Sequence, residues 1–206
     1  MDGVTVRLAG TFAVTGGGAS DPVAAGSPKA RLLLALLAAS RGRVVPIGRI
    51  VDALWTGQRP RRPEREVATL VSRLRAALGA GVVLGSSAGY RLGDPPAVRV
   101  DLHEAALLLD ECRARLARGE AAVAVVAGRR ACFLLGDGPA LADVPEADWI
   151  VDLRAEHGAQ LRAARHATAE ALLRAGDAGA ERGAQAAHEG RDLAFRAAWA
   201  LSLIHI

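Results

Sequence analysis

The sequence predicts a mainly α-helical protein with small β elements, divided into two domains. Hydrophobic residues make up 51% of the 206 positions and aromatic residues only 3%, a balance that favours helix packing over a β-sandwich. Strand patterns occur only in the first half, and the second half shows helical patterns alone. Asp94-Pro95-Pro96 separates the halves, so we predict domains at residues 1–95 and 96–206.

The chain opens with two short predicted strands. Residues 4–8 alternate apolar and polar side chains, as a half-buried strand does, and residues 12–14 are a second candidate. The glycines at 16–18 indicate a flexible turn. We therefore expect a small hairpin or meander before the first helix.

Two helices are predicted next. The first runs from Pro28 to about Ser40, with Ser27 as its N-cap. Its core-facing residues are Leu32, Leu33, Leu36 and Leu37. A second helix covers Ile47–Leu54, where apolar residues recur at helical spacing. Glycine and proline breakers then predict a loop over residues 55–63.

The third predicted helix, residues 64–78, has the clearest periodicity. Its apolar side consists of Val67, Leu70, Val71, Leu74 and Leu78. At 100° per residue, the opposite side carries Arg62, Arg65, Thr69, Ser72, Arg73 and Ala76, flanked by Arg75. Glycines at 79 and 81 end the helix. Residues 82–84 and 90–92 then predict a hairpin with a glycine-rich tip.

Strands, helix, helix, long helix and hairpin follow one another in the order of a winged helix-turn-helix. A helix fits the major groove of DNA, where arginine contacts guanine edges or phosphates and threonine or serine contacts either group. Arginines opposite an apolar stripe are also common on solvated faces. The periodicity alone therefore leaves both interpretations open.

The second half is predicted to be helical throughout. Helices are indicated at residues 102–118, 120–135 and 149–175, with weaker helical character to about residue 190. Antiparallel helix pairs with short turns resemble an α-solenoid.

Charge is distributed unequally along the chain. Residues 1–100 hold 14 basic and 6 acidic side chains, whereas residues 101–206 hold 12 and 16. A basic half joined to an acidic half suggests a module that binds a polyanion.

Several other classes of protein are disfavoured. The sequence has neither a signal peptide nor an apolar run near the ~20 residues of a membrane span, so we expect a soluble cytoplasmic protein. Two cysteines, Cys112 and Cys132, cannot form a disulfide framework or a four-ligand zinc site. No phosphate-binding loop or metal-ligand spacing is found, and we expect no cofactor and no metal.

One motif could indicate an enzyme. Residues 85–89 fit the G-x-S-x-G pattern of serine hydrolases, but that chemistry needs a helix directly after the serine. The following residues, Tyr90 to Pro95, cannot start a helix. A hairpin tip explains the glycines, so we expect no enzyme.

Two groups of residues resemble known families. Arg65-Glu66-Val67, residues 71–79 and Gly89-Tyr90-Arg91-Leu92 resemble the recognition helix and wing of OmpR-like winged-helix domains. Residues 29–37 and 50–55 are similar to the preceding helices of one branch, the Streptomyces antibiotic regulatory protein family. Residues 138–144 and 147–149 resemble that family's bacterial transcriptional activation domain, a tetratricopeptide-like helical module. The resemblance extends from residue 1 to about residue 195.

The resemblance implies a sequence-specific transcriptional activator. Such proteins bind promoter repeats and recruit RNA polymerase, often at secondary-metabolite gene clusters. The implied partners are double-stranded promoter DNA and RNA polymerase, and a homodimer on DNA stays open. By position, the implied DNA-facing residues are Arg65, Thr69, Ser72, Arg73 and Arg75 on the helix and Tyr90 and Arg91 at the base of the wing. The loop over residues 56–62 matches a segment that contacts polymerase in related activators.

The chain also departs from the family pattern. Ser86 and Ser87 stand near the wing tip, where a basic residue is common, and Cys132 stands where a tryptophan is common. Residues 201–206 resemble read-through of a sequencing adapter, so we expect a C-terminal truncation that impairs activation. Two alternatives remain: a protein-interaction module with an inert winged helix, or the N-terminal part of a larger regulator with a downstream NTPase.

Overall fold

The computed structural model describes residues 3–16, 27–86 and 88–184. Its strands are β1 (Val4–Arg7), β2 (Ala13–Thr15), β3 (Val45–Pro46), β4 (Val83–Ser86), β5 (Gly89–Leu92) and β6 (Val98–Val100). Its helices are α1 (Pro28–Ala39), α2 (Ile47–Leu54), α3 (Pro63–Leu78), α4 (Asp101–Ala117), α5 (Ala121–Leu135) and α6 (Asp148–Ala184). The chain divides into two compact units, Met1–His103 with Asp137–His157 and Glu104–Gly136 with Gly158–Ile206.

Helices α1, α2 and α3 build the core of the first unit. Its fully buried large side chains include Leu33, Leu34, Leu37, Ile50, Leu54 and Leu74. The predicted apolar stripe of α3 is confirmed, because all five of its residues are buried. The expectation for Leu32 is wrong: it is half-buried, and Leu34 lies in the core instead. Helix α1 is buried continuously over residues 33–38, so its core contacts are not confined to one narrow stripe.

The first unit also contains two small β-sheets of three strands each. In the first, β1 pairs antiparallel with β2 and parallel with β6, which sets Val4 opposite Val98 and Val6 opposite Val100. All four valines are buried. The first unit therefore continues past the predicted boundary at residue 95, because β6 completes its sheet. The second sheet has the order β3-β5-β4 and joins the hairpin β4-β5 to the strand before α2.

The segment 137–157 belongs to the first unit, although the sequence suggested an all-helical second domain from residue 96 onward. The Leu141 N–H donates to the Leu8 carbonyl at 2.8 Å, and the Asp143 carboxylate accepts the Phe12 N–H at 2.8 Å. Asp143 also lies 3.5 Å from the Arg31 guanidinium of α1. These contacts link residues more than a hundred positions apart, which local patterns cannot indicate.

Asp101 fixes the start of α4 beside β1. Its carboxylate accepts the N–H groups of Leu8 at 2.9 Å, Ala9 at 2.8 Å and Leu102 at 2.8 Å. Burial raises the pKa of Asp101, and the backbone hydrogen bonds act in the opposite direction. The three donors satisfy a buried carboxylate that would otherwise be costly to desolvate.

The described residues of the second unit lie in α4, α5 and α6 and in the short connections between helices. Its interior includes Cys112 of α4, Ala131 of α5 and Ala164 of α6, all fully buried. Gly128 of α5 faces Thr168 of α6, where an added Cβ would collide with the threonine hydroxyl. A glycine at this position therefore permits the close approach of two helices. Both cysteines are free thiols.

The predicted fold class, mainly α with small β elements, is confirmed. The two outer glycines of the G-x-S-x-G pattern, Gly85 and Gly89, lie in β4 and β5, so a strand rather than a helix follows the pattern, whereas a hydrolase nucleophile needs a helix there. Within the described ranges, no helix is long and apolar enough to span a membrane. The predicted features at residues 17, 18, 87, 185–190 and 201–206 lie outside the described residues.

Candidate nucleic-acid interface

Residues at both ends of α3 stabilise the helix and set where it begins and ends. Pro63 occupies the first turn, where its missing N–H removes no helical hydrogen bond. Glu64 and Glu66 place negative charge at the N-terminus, which favours the helix dipole. Gly79 ends the helix with a φ of 107°, a conformation that strains any residue with a Cβ. The buried stripe then fixes which side of the helix faces outward.

The outward side of α3 carries the residues that the periodicity placed there. Its exposed members are Arg62, Arg65, Thr69, Ser72, Arg73 and Ala76. We call this set the α3 face. From Arg62 to Ala76 it extends about 20 Å along the helix axis. A surface of this length can follow several consecutive base pairs in a groove.

The arginines of the α3 face are available to a partner. Arg62, Arg65 and Arg73 are exposed, and none of them forms an ion pair or a side-chain hydrogen bond with another described residue. Unpaired guanidinium groups on one exposed face provide planar donors that match phosphates and guanine edges. The face can therefore hold a polyanion without first breaking an internal contact.

Thr69 lies in the middle of the α3 face, one turn from Arg65 and one turn from Arg73. Its hydroxyl donates to the Arg65 carbonyl at 2.9 Å. Ser72 is exposed on the same side, so the α3 face carries two hydroxyl side chains.

Glu66 is an acidic neighbour that the sequence analysis did not assign. It is exposed and lies about 40° around the helix from Arg62, at the edge of the α3 face. A carboxylate there accepts a hydrogen bond from a cytosine amino group and repels phosphates. The helical spacing indicates this position, since Glu66 follows Arg62 by four residues.

Arg75 lies beside the α3 face with a contact inside the fold. It is half-buried, and its Nε–H donates to the Val83 carbonyl of β4 at 2.8 Å. The side chain therefore links the helix to the wing hairpin. Its place among the DNA-contacting residues stays a prediction.

The two residues predicted at the base of the wing also have internal contacts. Arg91 donates to both carboxylate oxygens of Asp94, at 2.8 and 3.0 Å, and to the Leu92 carbonyl at 3.2 Å. This pairing lowers the pKa of Asp94 below its ordinary value. Tyr90 is half-buried, with its ring against Gly85 of the facing strand. Their contacts with DNA also stay predictions.

Helix α3 and the hairpin lie within a segment that matches a known family. Residues 22–92 match the family described as "Transcriptional regulatory protein, C terminal". The match covers the helices α1 to α3 and ends with β5, which is the part of the chain that carries the α3 face.

Three curated relatives are transcriptional or regulatory proteins by name. The chain is 36% identical over 125 residues to "Regulatory protein AfsR" of Streptomyces coelicolor, covering 61% of this chain and 12% of AfsR. It is 35% identical over 80 residues to EmbR of Mycobacterium tuberculosis, covering 36% of this chain and 21% of EmbR. It is 38% identical over 76 residues to MoaR1 of the same species, covering 36% and 24%. The chain thus spans a quarter or less of the length of these relatives.

A solved structure is similar over most of the chain. "Mycobacterium tuberculosis EmbR in complex with low affinity phosphopeptide" superimposes with a TM-score of 0.75 and 27% identity, covering 87% of this chain and 48% of that one. This likeness extends beyond the winged helix into the helical part. Together with the AfsR match, it supports the resemblance drawn from the sequence.

Proposed function

We propose that the protein binds promoter DNA through the α3 face and activates transcription. The match of residues 22–92 to a family of transcriptional regulatory proteins supports this proposal, as does the resemblance of the chain to AfsR and EmbR beyond that segment. The target is double-stranded DNA with repeated sites, in the manner of the Streptomyces antibiotic regulatory proteins. Secondary-metabolite gene clusters are the proposed setting.

One observation carries the proposal: three exposed arginines, whose side chains pair with no other described residue, lie opposite the buried stripe of α3. In the major groove, Arg62, Arg65 and Arg73 would donate to guanine N7 and O6 or to phosphate oxygens. The small Ala76 lets the helix backbone approach the base edges. Since the stripe anchors the helix on the other side, the face keeps its geometry before DNA arrives.

Binding of duplex DNA tests the proposal. The probe is duplexes recovered from fragmented genomic DNA, titrated in gel-shift assays at fixed salt. We expect Arg65→Ala and Arg73→Ala each to weaken binding by about 1–3 kcal/mol, as the loss of one base or phosphate contact does. Arg113→Ala is the control, because Arg113 is an exposed arginine on α4 whose carboxylate neighbour is Asp110, 3.7 Å away. Equal affinity of wild type and both α3 variants would refute the DNA-binding role of the face.

We further propose that the loop over residues 56–62 contacts RNA polymerase. Arg59 of this loop pairs with Asp52 at 2.7 Å, which links the loop to α2, and Arg61 is exposed. Arg61→Ala is expected to reduce transcription of a promoter template in vitro several-fold while leaving DNA affinity unchanged. Loss of both activities together, or of neither, would contradict a separate polymerase contact.

A further inference from the structure

Thr69 has an unusual position among the exposed residues of α3. It lies at the centre of the α3 face, with an exposed arginine one helical turn away on either side. A residue in this place meets base edges rather than the phosphate backbone when a helix lies in the major groove. What Thr69 can recognise there depends on which of its atoms remain free.

The hydroxyl proton of Thr69 already takes part in a hydrogen bond. The Oγ1–H group donates to the Arg65 carbonyl at 2.9 Å, within the helix itself. Threonine has a single donor, so the side chain presents only its methyl group and the remaining lone pairs of Oγ1. Phosphate oxygens and guanine N7 and O6 are acceptors, and Thr69 offers them no second donor while its hydroxyl donates to the Arg65 carbonyl.

Two kinds of base group remain as partners. Adenine and cytosine present amino groups whose N–H can donate a hydrogen bond to Oγ1. Thymine presents its C5-methyl group. Arginine side chains flank Thr69 and supply the donors for neighbouring guanines and phosphates. The methyl group is what Thr69 adds to this face, and among the four bases only thymine has an apolar substituent in the major groove.

We propose that Thr69 selects thymine by contact between its Cγ2 methyl group and the C5-methyl group of the base. This inference rests on the proposed function, and it assigns one chemical preference to one position of the α3 face. Thr69 is thus a specificity determinant, whereas Arg65 and Arg73 supply most of the affinity.

The test begins with the full chain and a pool of random-sequence duplexes. Repeated selection yields the preferred duplex, and each thymine in it is then replaced in turn by uracil, which removes the methyl group and keeps the base pairing. We expect one uracil replacement to weaken binding about fourfold, the effect of exposing about one methyl-sized group. Replacement of the other thymines should change the affinity less.

Three variants identify the atom responsible. Thr69→Ser keeps the hydroxyl and removes the methyl group, so it should bind the thymine and uracil duplexes equally. Thr69→Val keeps the methyl group and removes the hydroxyl, so it should still prefer thymine about fourfold. Thr15→Ser is the matched control, since Thr15 is an exposed threonine on β2, and it should behave as wild type.

The outcomes separate this inference from the proposed function. If the wild-type chain enriches no duplex, both fail. If it enriches a motif in which no uracil replacement matters, or if Thr69→Ser keeps the preference for thymine, only the role of Thr69 is refuted. If Thr69→Val loses base discrimination while Thr69→Ser retains it, Oγ1 accepts a hydrogen bond from an amino group, and the methyl contact is refuted.

Discussion

Arg73 and Arg75 are two residues apart on α3, yet their side chains have different surroundings. Arg73 is exposed and forms no ion pair with another described residue, whereas Arg75 is half-buried and donates to the Val83 carbonyl at 2.8 Å. Helical periodicity places both near the outward side because it records only the angle around the axis. It does not show that a carbonyl of β4 lies within reach of one side chain.

This difference predicts effects of different size on stability for two similar substitutions. Arg75→Ala should lower the free energy of unfolding by about 1–2 kcal/mol, because it removes a charge-assisted hydrogen bond between α3 and the carbonyl of the buried Val83. Arg73→Ala should change the free energy of unfolding by less than about 0.5 kcal/mol, as exposed substitutions do. Urea denaturation followed by circular dichroism measures both. Equal destabilisation by the two variants would show that the contact with Val83 contributes nothing.

At the scale of the element, the stability of α3 depends on the side that faces α1 and α2. Leu74 is 1% exposed at the centre of the stripe. The outward residues contribute little to folding, since they contact mainly solvent. A helix with these two sides can change its outward residues without losing its place in the unit.

Leu74→Ala should therefore destabilise the protein by about 2–5 kcal/mol, the usual cost of a large cavity in a well-packed core. Leu107→Ala is the matched control, because Leu107 of α4 is 70% exposed and removing its side chain opens no cavity. Thermal or urea melting curves distinguish the two. A melting curve for Leu74→Ala that overlays wild type would mean that the stripe is not the core of the unit.

Elements with a strong local period could be predicted from the sequence, and elements that depend on distant partners could not. The sixteen-residue helix α3 repeats its apolar side several times, so its stripe and its exposed face both followed from the spacing. Strand β6 has three residues and exists because Val98 and Val100 pair with β1. The hydrogen bonds of Asp143 to Phe12 and of Arg75 to Val83 depend likewise on tertiary packing. The candidate face was thus predictable, whereas the internal contacts of Arg75 and Arg91 were not.

At the scale of the whole molecule, the two halves of the sequence differ in net charge, but the two compact units do not. The acidic segment 137–157 packs with the basic N-terminal part, so the first unit has 15 basic and 13 acidic residues and the second has 11 and 9. Each unit therefore has a net charge of +2. The proposed binding of DNA therefore depends on the local placement of exposed arginines on α3 rather than on the overall charge of one unit.

Two double variants with the same change in net charge distinguish local from overall electrostatics. Arg65→Ala with Arg73→Ala removes two charges from the α3 face. Arg129→Ala with Arg130→Ala removes two exposed charges from α5, where neither arginine forms an ion pair with another described residue. Affinity for the selected duplex, measured from about 50 to 200 mM salt, should fall steeply for wild type, since phosphate contacts release counterions.

We expect the α5 double variant to keep the wild-type affinity and the wild-type slope of log K against log salt. The α3 double variant should bind more weakly at every salt concentration, and its slope should be shallower by about 1 for each lost arginine that contacts phosphate. An arginine that contacts only a base would leave the slope unchanged while still reducing affinity. Equal losses in the two double variants would instead assign binding to net charge alone, and the α3 face would have no special part in it.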